Sequence, residues 1–147
     1  MTWICKKFDD LSVHELYAIL QLRNEVFAVE QNCVYPDMDN KDQPSCHLMA
    51  IDENNKLVAY TRLLPPELAY KEPSIGRVVT SSLARGTGAG RELMIRSIQL
   101  IYDLFGRQPI KIGAQLYLLK FYSSFGFIQT SDVYLEDGIE HIEMVLS

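Results

Sequence analysis

The alternation of apolar and polar residues predicts a succession of short strands and helices along the chain. Residues 3–8 are typical of a short strand. Ser12 and Glu15 follow it with the S-x-x-E spacing of a capping box, in which each residue satisfies a free N–H group of the other. The first helix should therefore begin near Val13.

Arg23 interrupts the apolar stripe of this helix, because it lies seven residues after Leu16 and three after Leu20. A charge at such a position needs a partner. Two interpretations stay open. The aliphatic stem can cover apolar surface while the guanidinium reaches water, or the charged group can serve a function at a cleft.

Residues 32–44 lose the helical period and are rich in turn formers and acidic residues. Asp37, Asp39 and Asp42 lack the D-x-D-x-D-G spacing of a calcium-binding EF-hand loop. We therefore expect a solvated surface loop here, and no metal site. A second interpretation stays open, in which the loop lines an opening and attracts a cation.

The rest of the chain continues the alternation of strands and helices. The predicted elements are a hairpin of 47–51 with 57–64, a strand at 75–80, a helix that stops at Gly106, a strand at 110–114, a helix at 116–125, and strands at 127–134 and 141–146. This order predicts an α/β domain with a mixed sheet and one helical crossover near the middle. At 147 residues, the chain suits a single domain covering 1–147.

A glycine-rich stretch, Arg85–Gly90, separates the strand at 75–80 from the helix that follows it. Glycines at alternate positions allow positive φ and remove the side chains that would keep a ligand away from the main chain. The first turn of the following helix adds N–H groups without partners and a partial positive charge. The stretch therefore predicts a pyrophosphate site.

The glycine spacing excludes the two commonest phosphate loops. A dinucleotide fold needs G-x-G-x-x-G and an acidic residue at the end of the next strand, whereas this chain has G-x-G-x-G and Gln115. A nucleotide P-loop needs G-x-x-x-x-G-K followed by Ser or Thr, which is missing. The remaining pattern, R-x-x-G-x-G, resembles the coenzyme A loop of the GNAT acetyltransferases.

A second segment, 115–127, resembles the GNAT pattern N-x-x-A-x-x-x-Y-x-x-x-G-F. Gln115 stands at the Asn position and Tyr122 at the Tyr position. Nearly the whole chain is similar to the ElaA-like branch of that superfamily. The further stretches that carry this likeness are Arg23–Phe27, Val29–Gln31, Arg62–Leu64, Ile75–Val79 and 134–144.

The resemblance implies a mixed sheet that is splayed between its fourth and fifth strands, with acetyl-CoA as the co-substrate in the gap and no metal. The pantetheine arm would lie along the fourth strand and the pyrophosphate on the glycine loop. The cofactor-binding residues implied in this way are Val78, Val79, Thr80, Arg85, Gly86, Thr87, Gly88, Ala89, Gly90, Gln115 and Tyr122.

Acetyl transfer to an amine needs an acid for the leaving thiolate and a base for the amine proton. The family motif makes Tyr122 the candidate acid, and a phenol is protonated at neutral pH. The base is left open among Glu30, His47 and His141. The candidates for substrate binding are Arg23, Arg62 and Arg77. Nothing near Cys33 or Cys46 suggests an activated thiol.

The net charge and the cysteine content exclude some classes of ligand and some kinds of covalent cross-link. The formal net charge of -5 opposes binding to a nucleic-acid backbone, although Arg77, Arg85 and Arg91 can make a local positive patch for an anionic cofactor. Three cysteines without C-x-x-C spacing indicate neither a zinc site nor a disulfide framework. No signal peptide or membrane span is recognised, so we expect a cytoplasmic protein.

Three functions remain open. The first is an N-acetyltransferase that uses acetyl-CoA and an amine of a small molecule or peptide. The second is a non-catalytic acyl-CoA-binding domain on the same scaffold. The third is an enzyme like the acyl-homoserine-lactone synthases, which the spacing of Arg23 and Phe27 suggests but the intact pyrophosphate loop opposes. A homodimer is left open as the form of assembly.

Overall fold

The computed structural model describes residues 1–147 and contains eight strands and three α-helices. No helix is both long enough and apolar enough to span a membrane. The strands are β1 (Thr2–Lys7), β2 (Cys46–Ile51), β3 (Leu57–Leu64), β4 (Ser74–Thr80), β5 (Ile110–Gln115), β6 (Ile128–Gln129), β7 (Tyr134–Glu136) and β8 (Ile139–Leu146). The α-helices are α1 (Val13–Arg23), α2 (Ala89–Phe105) and α3 (Leu119–Ser123), with 3-10 turns at Phe8–Asp10 and Leu116–Leu118 and a π-helical segment at Asn24–Glu30.

The ends of the helices follow the local signals in the sequence. At the start of α1 the capping box is confirmed: Ser12 Oγ accepts from the Glu15 N–H at 3.0 Å, and the Glu15 carboxylate accepts from the Ser12 N–H at 2.8 Å. At the end of α2, Gly106 adopts φ 86°, which glycine tolerates without strain. The first helix continues past Arg23 as the π-helical segment.

The strands form two antiparallel sheets. One has the order β1-β2-β3-β4, and the other has the order β5-β8-β6 with β7 also paired to β8. β4 and β5 lie next to each other without a ladder, and one bond from the Lys111 N–H to the Pro73 carbonyl, at 3.1 Å, joins their N-terminal ends. The α/β fold with a sheet divided between its fourth and fifth strands is confirmed.

The helices cover both faces of the first sheet. On one face, Leu93, Met94 and Ile101 of α2 are fully buried in the main core. On the other face, Ile19 and Leu22 of α1 belong to a smaller buried cluster. Burial of each such side chain contributes about 1.5–3 kcal/mol, so both helices hold β4 in a fixed position.

β4 contains a bulge at the level of Arg77. Tyr60 lies opposite Val79 and Arg62 lies opposite Gly76, so two residues of β4 stand against the single residue between them on β3. Arg77 adopts φ 50°, a left-handed conformation that is rare for arginine. Because a bulge bends its strand, β4 is bent at the point where it faces β5.

The prediction of one strand at 127–134 is wrong. β6 ends at Gln129 and β7 begins at Tyr134; the Thr130 N–H still donates to the Glu143 carbonyl at 2.9 Å, and residues 131–133 leave the ladder. The physical reason lies at Ser131, whose Oγ accepts from the Glu143 N–H at 2.8 Å. This side chain takes a donor of β8 that a continuing strand would have used.

Candidate active site

A cavity of about 900 Å³ lies between the two sheets, where β4 and β5 face each other. Its wall combines the π-helical segment, the loop 32–45, β4, the end of β5 and the β7–β8 hairpin. Because β4 pairs only with β3, the polar main-chain groups on its other edge face this cavity.

The glycine loop lies at one end of the cavity and has the features of an anion site. Gly86 and Gly88 adopt φ 80° and 83°, and a Cβ at either position would meet no atom within 4 Å. No side chain caps the start of α2 at Ala89, so its first N–H groups have no intrahelical partner. This open main chain, with Arg85 beside it, fits a pyrophosphate.

Most of the predicted cofactor residues line the cavity. Those on its wall are Val78, Val79, Thr80, Arg85, Gly90, Gln115 and Tyr122. The other four, Gly86, Thr87, Gly88 and Ala89, complete the loop between Arg85 and Gly90. The structure therefore brings the two motifs, which are separated in the sequence by α2 and β5, to one cavity.

Tyr122 of α3 lies on the cavity wall with 5% of its surface exposed. Its ring packs edge to face against Phe121 and Phe127. Burial raises the pKa of its phenol, so the hydroxyl keeps its proton at neutral pH. It can therefore donate a proton but is a poor base.

Two polar contacts cross the cavity from the π-helical segment. The Glu30 carboxylate forms an ion pair with Arg85 at 2.7 Å. Just beyond that segment, the amide side chain of Gln31 lies 3.3 Å from that of Gln115. The first contact joins a candidate base to the glycine loop. The second joins the residue after the π-helical segment to the end of β5.

His47, another candidate base, lies outside the cavity lining and is 1% exposed. Its Nε2 lies 2.9 Å from the Asp42 carbonyl oxygen, which can only accept, so Nε2 carries the hydrogen. Its Nδ1 then accepts from the Tyr60 hydroxyl at 2.7 Å. Burial lowers the pKa of His47. Since both nitrogens are engaged, the geometry favours a structural role for this histidine over a catalytic one.

His141, the third candidate, lies on the cavity wall and is 8% exposed. Its Nδ1 lies 2.8 Å from the Ile139 carbonyl oxygen, and its Nε2 lies 3.3 Å from the Glu136 carboxylate. His141 is therefore the histidine with a side chain at the cavity.

The three candidate substrate-binding arginines meet the three aspartates of the loop 32–45 in one ionic network. Arg23 bonds to Asp42 at 2.8 Å and pairs with Asp37 at 3.0 Å. Arg62 binds Asp39 at 2.8 Å and Asp42 at 2.9 Å. We call these five residues, together with Arg77, the Arg–Asp network.

Arg77 completes the network from the bulge of β4. Its Nε lies 2.9 Å from an Asp37 oxygen, and its Nη2 donates to the Asp37 carbonyl at 2.9 Å. Burial raises the pKa of Asp39, but the hydrogen bond and charge of Arg62, the Lys41 N–H and the charge of Arg77 together outweigh burial and lower that pKa to about 2. All three carboxylates therefore serve to hold the loop against α1, β3 and β4.

The network corrects one expectation from the sequence and excludes one of the two interpretations of Arg23. The aspartates do not form a solvated loop, because arginines from three elements converge beneath it and Asp42 is only 7% exposed. Arg23 does not reach water, since it is fully buried and bonded to Asp42 and to the Asp37 carbonyl. Arg62 and Arg77 line the cavity, but their guanidinium groups are already paired.

The sequence did not single out Glu136 or Tyr70, which also line the cavity. The Tyr70 hydroxyl lies 2.9 Å from the place that a Cβ of Gly113 would take, so a side chain there would require Tyr70 to shift. The sequence did contain a signal for the position of Glu136, in the turn that follows it. The Asp137-Gly138 turn has φ values of 51° and 79°, as a two-residue hairpin turn requires, and it fixes the register that brings β7 against His141.

The comparisons with known proteins cover nearly the whole chain. Residues 12–147 match the family model described as an acetyltransferase (GNAT) domain. The chain is 42% identical to protein ElaA of Escherichia coli strain K12 over 144 residues, which cover 97% of this chain and 94% of ElaA.

Two solved structures extend this likeness. The crystal structure of an acyl-CoA N-acyltransferase from Pseudomonas aeruginosa has a TM-score of 0.94 and 45% identity, with 99% of each chain covered. An aminoglycoside 6'-N-acetyltransferase complexed with coenzyme A has a TM-score of 0.70 at 16% identity, with 97% of this chain and 95% of the other covered. At that identity the second likeness is one of fold alone.

Proposed function

The chain belongs to the GNAT acetyltransferase family, and on that premise we propose that it is an N-acetyltransferase that moves an acetyl group from acetyl-CoA to an amine of a small molecule or peptide. The observation that carries the proposal is the single cavity that joins the open glycine loop to the free edge of β4. That cavity offers an anion site at one end and room for a second molecule at the other.

The glycine loop would hold the pyrophosphate of acetyl-CoA. Arg85 supplies a cation, and the main-chain N–H groups up to Gly90 supply donors without intervening side chains. The ion pair of Arg85 with Glu30 at 2.7 Å places that cation beside the cavity. The pantetheine arm would bond to the main chain of Val78, Val79 and Thr80 on the free edge of β4, with Gln115 opposite.

The chemistry asked of the protein is modest, because the thioester supplies an activated acyl group. The two molecules must be aligned, and the negative charge that develops on the carbonyl oxygen must be stabilised. Main-chain N–H groups on the free edge of β4 near Val79 suit the second task. Tyr122, whose phenol stays protonated, suits the transfer of a proton to the departing sulfur.

Calorimetry with acetyl-CoA tests the cofactor assignment. Gly88→Asp places a side chain and a negative charge in the anion site, so the affinity for acetyl-CoA should fall by about 100-fold or more. A fall of that size is expected because each lost hydrogen bond to a charged group contributes about 1.5–3 kcal/mol. The matched control is Gly106→Asp, which makes the same change at the other glycine end of α2, also at positive φ with open space around it. Equal affinity in the two variants would refute the loop assignment.

Turnover separates the remaining functions. Release of free thiol is followed with acetyl-CoA and four amine probes: benzylamine, tyramine, spermidine and a tripeptide with a free N-terminus. Thiol release that depends on the amine supports the transferase. Binding of acetyl-CoA without turnover of a wider amine panel would favour an acyl-CoA-binding domain, and thermal stabilisation by S-adenosylmethionine in place of acetyl-CoA would favour a synthase of the homoserine-lactone type.

A further inference from the structure

His141 occupies a position on the cavity wall that is next to the proposed cofactor contact. In the register of the second sheet, His141 of β8 lies opposite Gln115 of β5 on one side and opposite Tyr134 of β7 on the other. Directly opposed residues on neighbouring strands have Cβ atoms about 5 Å apart. The imidazole therefore lies one strand away from Gln115, on the face of the sheet that lines the cavity.

The hydrogen bonds of His141 determine which ring nitrogen can exchange a proton. Nδ1 lies 2.8 Å from the Ile139 carbonyl oxygen. Since a carbonyl oxygen only accepts, Nδ1 keeps its hydrogen in either charge state. The ring of Tyr134 stacks on the imidazole at 5.9 Å and 30° and holds its plane. Nε2 is therefore the atom that gains or loses the proton.

Glu136 is the carboxylate that faces this nitrogen, with Oε2 3.3 Å from Nε2. Two other acidic side chains of the cavity are already paired, Asp39 with Arg62 and Glu30 with Arg85, and Asp137 in the adjoining turn forms no ion pair with His141. Glu136 has no arginine or lysine partner, and 61% of its side chain is exposed. It can therefore form an ion pair with a cationic ligand that enters the cavity.

We infer that Glu136 binds the ammonium group of the acceptor and that His141 Nε2 takes a proton from it, an inference that rests on the proposed N-acetyltransferase function. The proton moves from the ammonium to neutral His141, which leaves an amine with a free electron pair. That pair forms the C–N bond to the thioester carbonyl, and the C–S bond breaks with its electrons on sulfur. The sulfur takes the proton of Tyr122, and the second proton of the amine nitrogen returns to Tyr122. The proton on His141 then passes to water.

Several charged or titratable groups surround the His141 imidazole. Those that carry or can acquire charge are Tyr134 and Glu136 on β7, Asp137 in the turn, Glu143 on β8, Lys111 on β5 and Tyr70 before β4. Lys111 is paired with Glu143 at 3.4 Å. Burial, with the charges of Glu136 and Glu143, raises the pKa of Tyr134, so this phenol stays neutral and does not compete for the proton.

The test uses the full chain, saturating acetyl-CoA and the amine probe with the highest rate. The variants are His141→Gln and Glu136→Gln, and the control is Glu140→Gln, which removes the same charge from the same hairpin at an exposed position outside the cavity lining. For wild type, kcat/KM should fall as the pH is lowered, because a protonated imidazole cannot take a proton from the ammonium group.

His141→Gln should lower kcat/KM by about 100-fold at pH 7.5, lose the acidic limb of the profile, and regain activity with added imidazole. Glu136→Gln should raise KM for the amine by about 5-fold, the effect of one ion pair to a mostly exposed carboxylate, with kcat within about 2-fold. Glu140→Gln should match wild type. Calorimetry with acetyl-CoA confirms that each variant is folded.

The inference would be overturned if His141→Gln kept the wild-type rate and pH profile, or if Glu136→Gln behaved like Glu140→Gln. Either result would leave the proposed function intact. Wild-type protein that turns over no probe would overturn the proposed function as well, so the two failures are distinguishable. If His141→Gln does not fold, the KM of Glu136→Gln decides, because that side chain is mostly exposed and its replacement leaves the core intact.

Discussion

At the scale of single residues, Tyr60 and Tyr122 are two buried phenols with opposite roles. The Tyr60 hydroxyl bonds to His47 Nδ1 at 2.7 Å and is fully buried, whereas Tyr122 has no hydrogen bond within the protein and faces the cavity. A buried polar group that loses its partner costs about 1–3 kcal/mol, and one without a partner costs little to remove.

Substitution by Phe should therefore separate stability from catalysis. Tyr60→Phe should lower the free energy of unfolding by about 1–3 kcal/mol, because it leaves His47 Nδ1 without a donor. Tyr122→Phe should leave that free energy within about 0.5 kcal/mol of wild type. It should lower kcat by about 100-fold, a larger effect than any on the affinity for acetyl-CoA. Urea unfolding and thiol release measure the two quantities, and an unchanged kcat in Tyr122→Phe would exclude the phenol as the proton donor.

His47 predicts how stability depends on pH. Burial lowers its pKa in the folded state, so in mildly acidic solution the unfolded chain binds more protons than the folded one. Stability should be constant above about pH 6.5, the pKa of histidine in an unfolded chain, and should fall as the pH drops below that value. Asp39 and Asp42, whose pKa values are lowered by arginines, add their loss only at more acidic pH.

The pH slope identifies the residue responsible. Urea unfolding between pH 7.5 and pH 5 should show a decrease in wild type and a flatter profile in His47→Gln. His14→Gln, at the exposed start of α1, is the control and should keep the wild-type slope. A slope in His47→Gln equal to that of wild type would show that another group is responsible.

At the scale of elements, the loop 32–45 is held in place by the Arg–Asp network. Asp42 bonds to both Arg23 and Arg62 and has 10% of its side chain exposed. Removing one member of a buried ionic cluster leaves the others without compensation and costs about 3–5 kcal/mol. The loop forms part of the cavity wall, so its position affects the shape of the cavity end that is away from the glycine loop and is proposed to bind the acceptor, here termed the acceptor end.

Asp42→Asn should accordingly lower the free energy of unfolding by about 3 kcal/mol and make the loop 32–45 sensitive to proteolysis. Asp132→Asn, at an exposed position without an ion pair, should change stability by no more than about 0.5 kcal/mol. Similar unfolding midpoints for the two variants would mean that the loop does not depend on the network.

Elements with strong local signals were predictable, and those that depend on partners distant in sequence were not. The start of α1 follows from its capping box and the end of α2 from Gly106, because the residues that fix them are neighbours in the chain. The break between β6 and β7 depends on a hydrogen bond from the Glu143 N–H to Ser131. The burial of the Arg23 guanidinium depends on its bond to Asp42, which lies 19 residues away in the sequence. Periodicity carries no information about such pairings.

At the scale of the whole molecule, the division between the two sheets makes the cavity. The glycine loop and the 115–127 segment predicted its place through their likeness to a known family, while the spacing of apolar residues predicted only an α/β domain. The acceptor end was not predictable, because it is assembled from the loop 32–45, Tyr70 before β4 and the β7–β8 hairpin, each far from the others in sequence.

A cavity that lies between two sheets should couple ligand binding to global stability. A ligand that binds only the folded state at 100 times its Kd stabilises by about 2.7 kcal/mol. For a domain of this size that is a rise in Tm of about 5–10 °C, at 2–4 °C per kcal/mol. S-acetylpantetheine, which lacks the pyrophosphate and adenosine, should give a much smaller rise at the same concentration. Gly88→Asp should reduce the acetyl-CoA shift toward that of S-acetylpantetheine, since both changes remove the contact between the pyrophosphate and the loop. If S-acetylpantetheine stabilised wild type as much as acetyl-CoA does, the glycine loop would contribute nothing to binding, and the pyrophosphate would lie elsewhere.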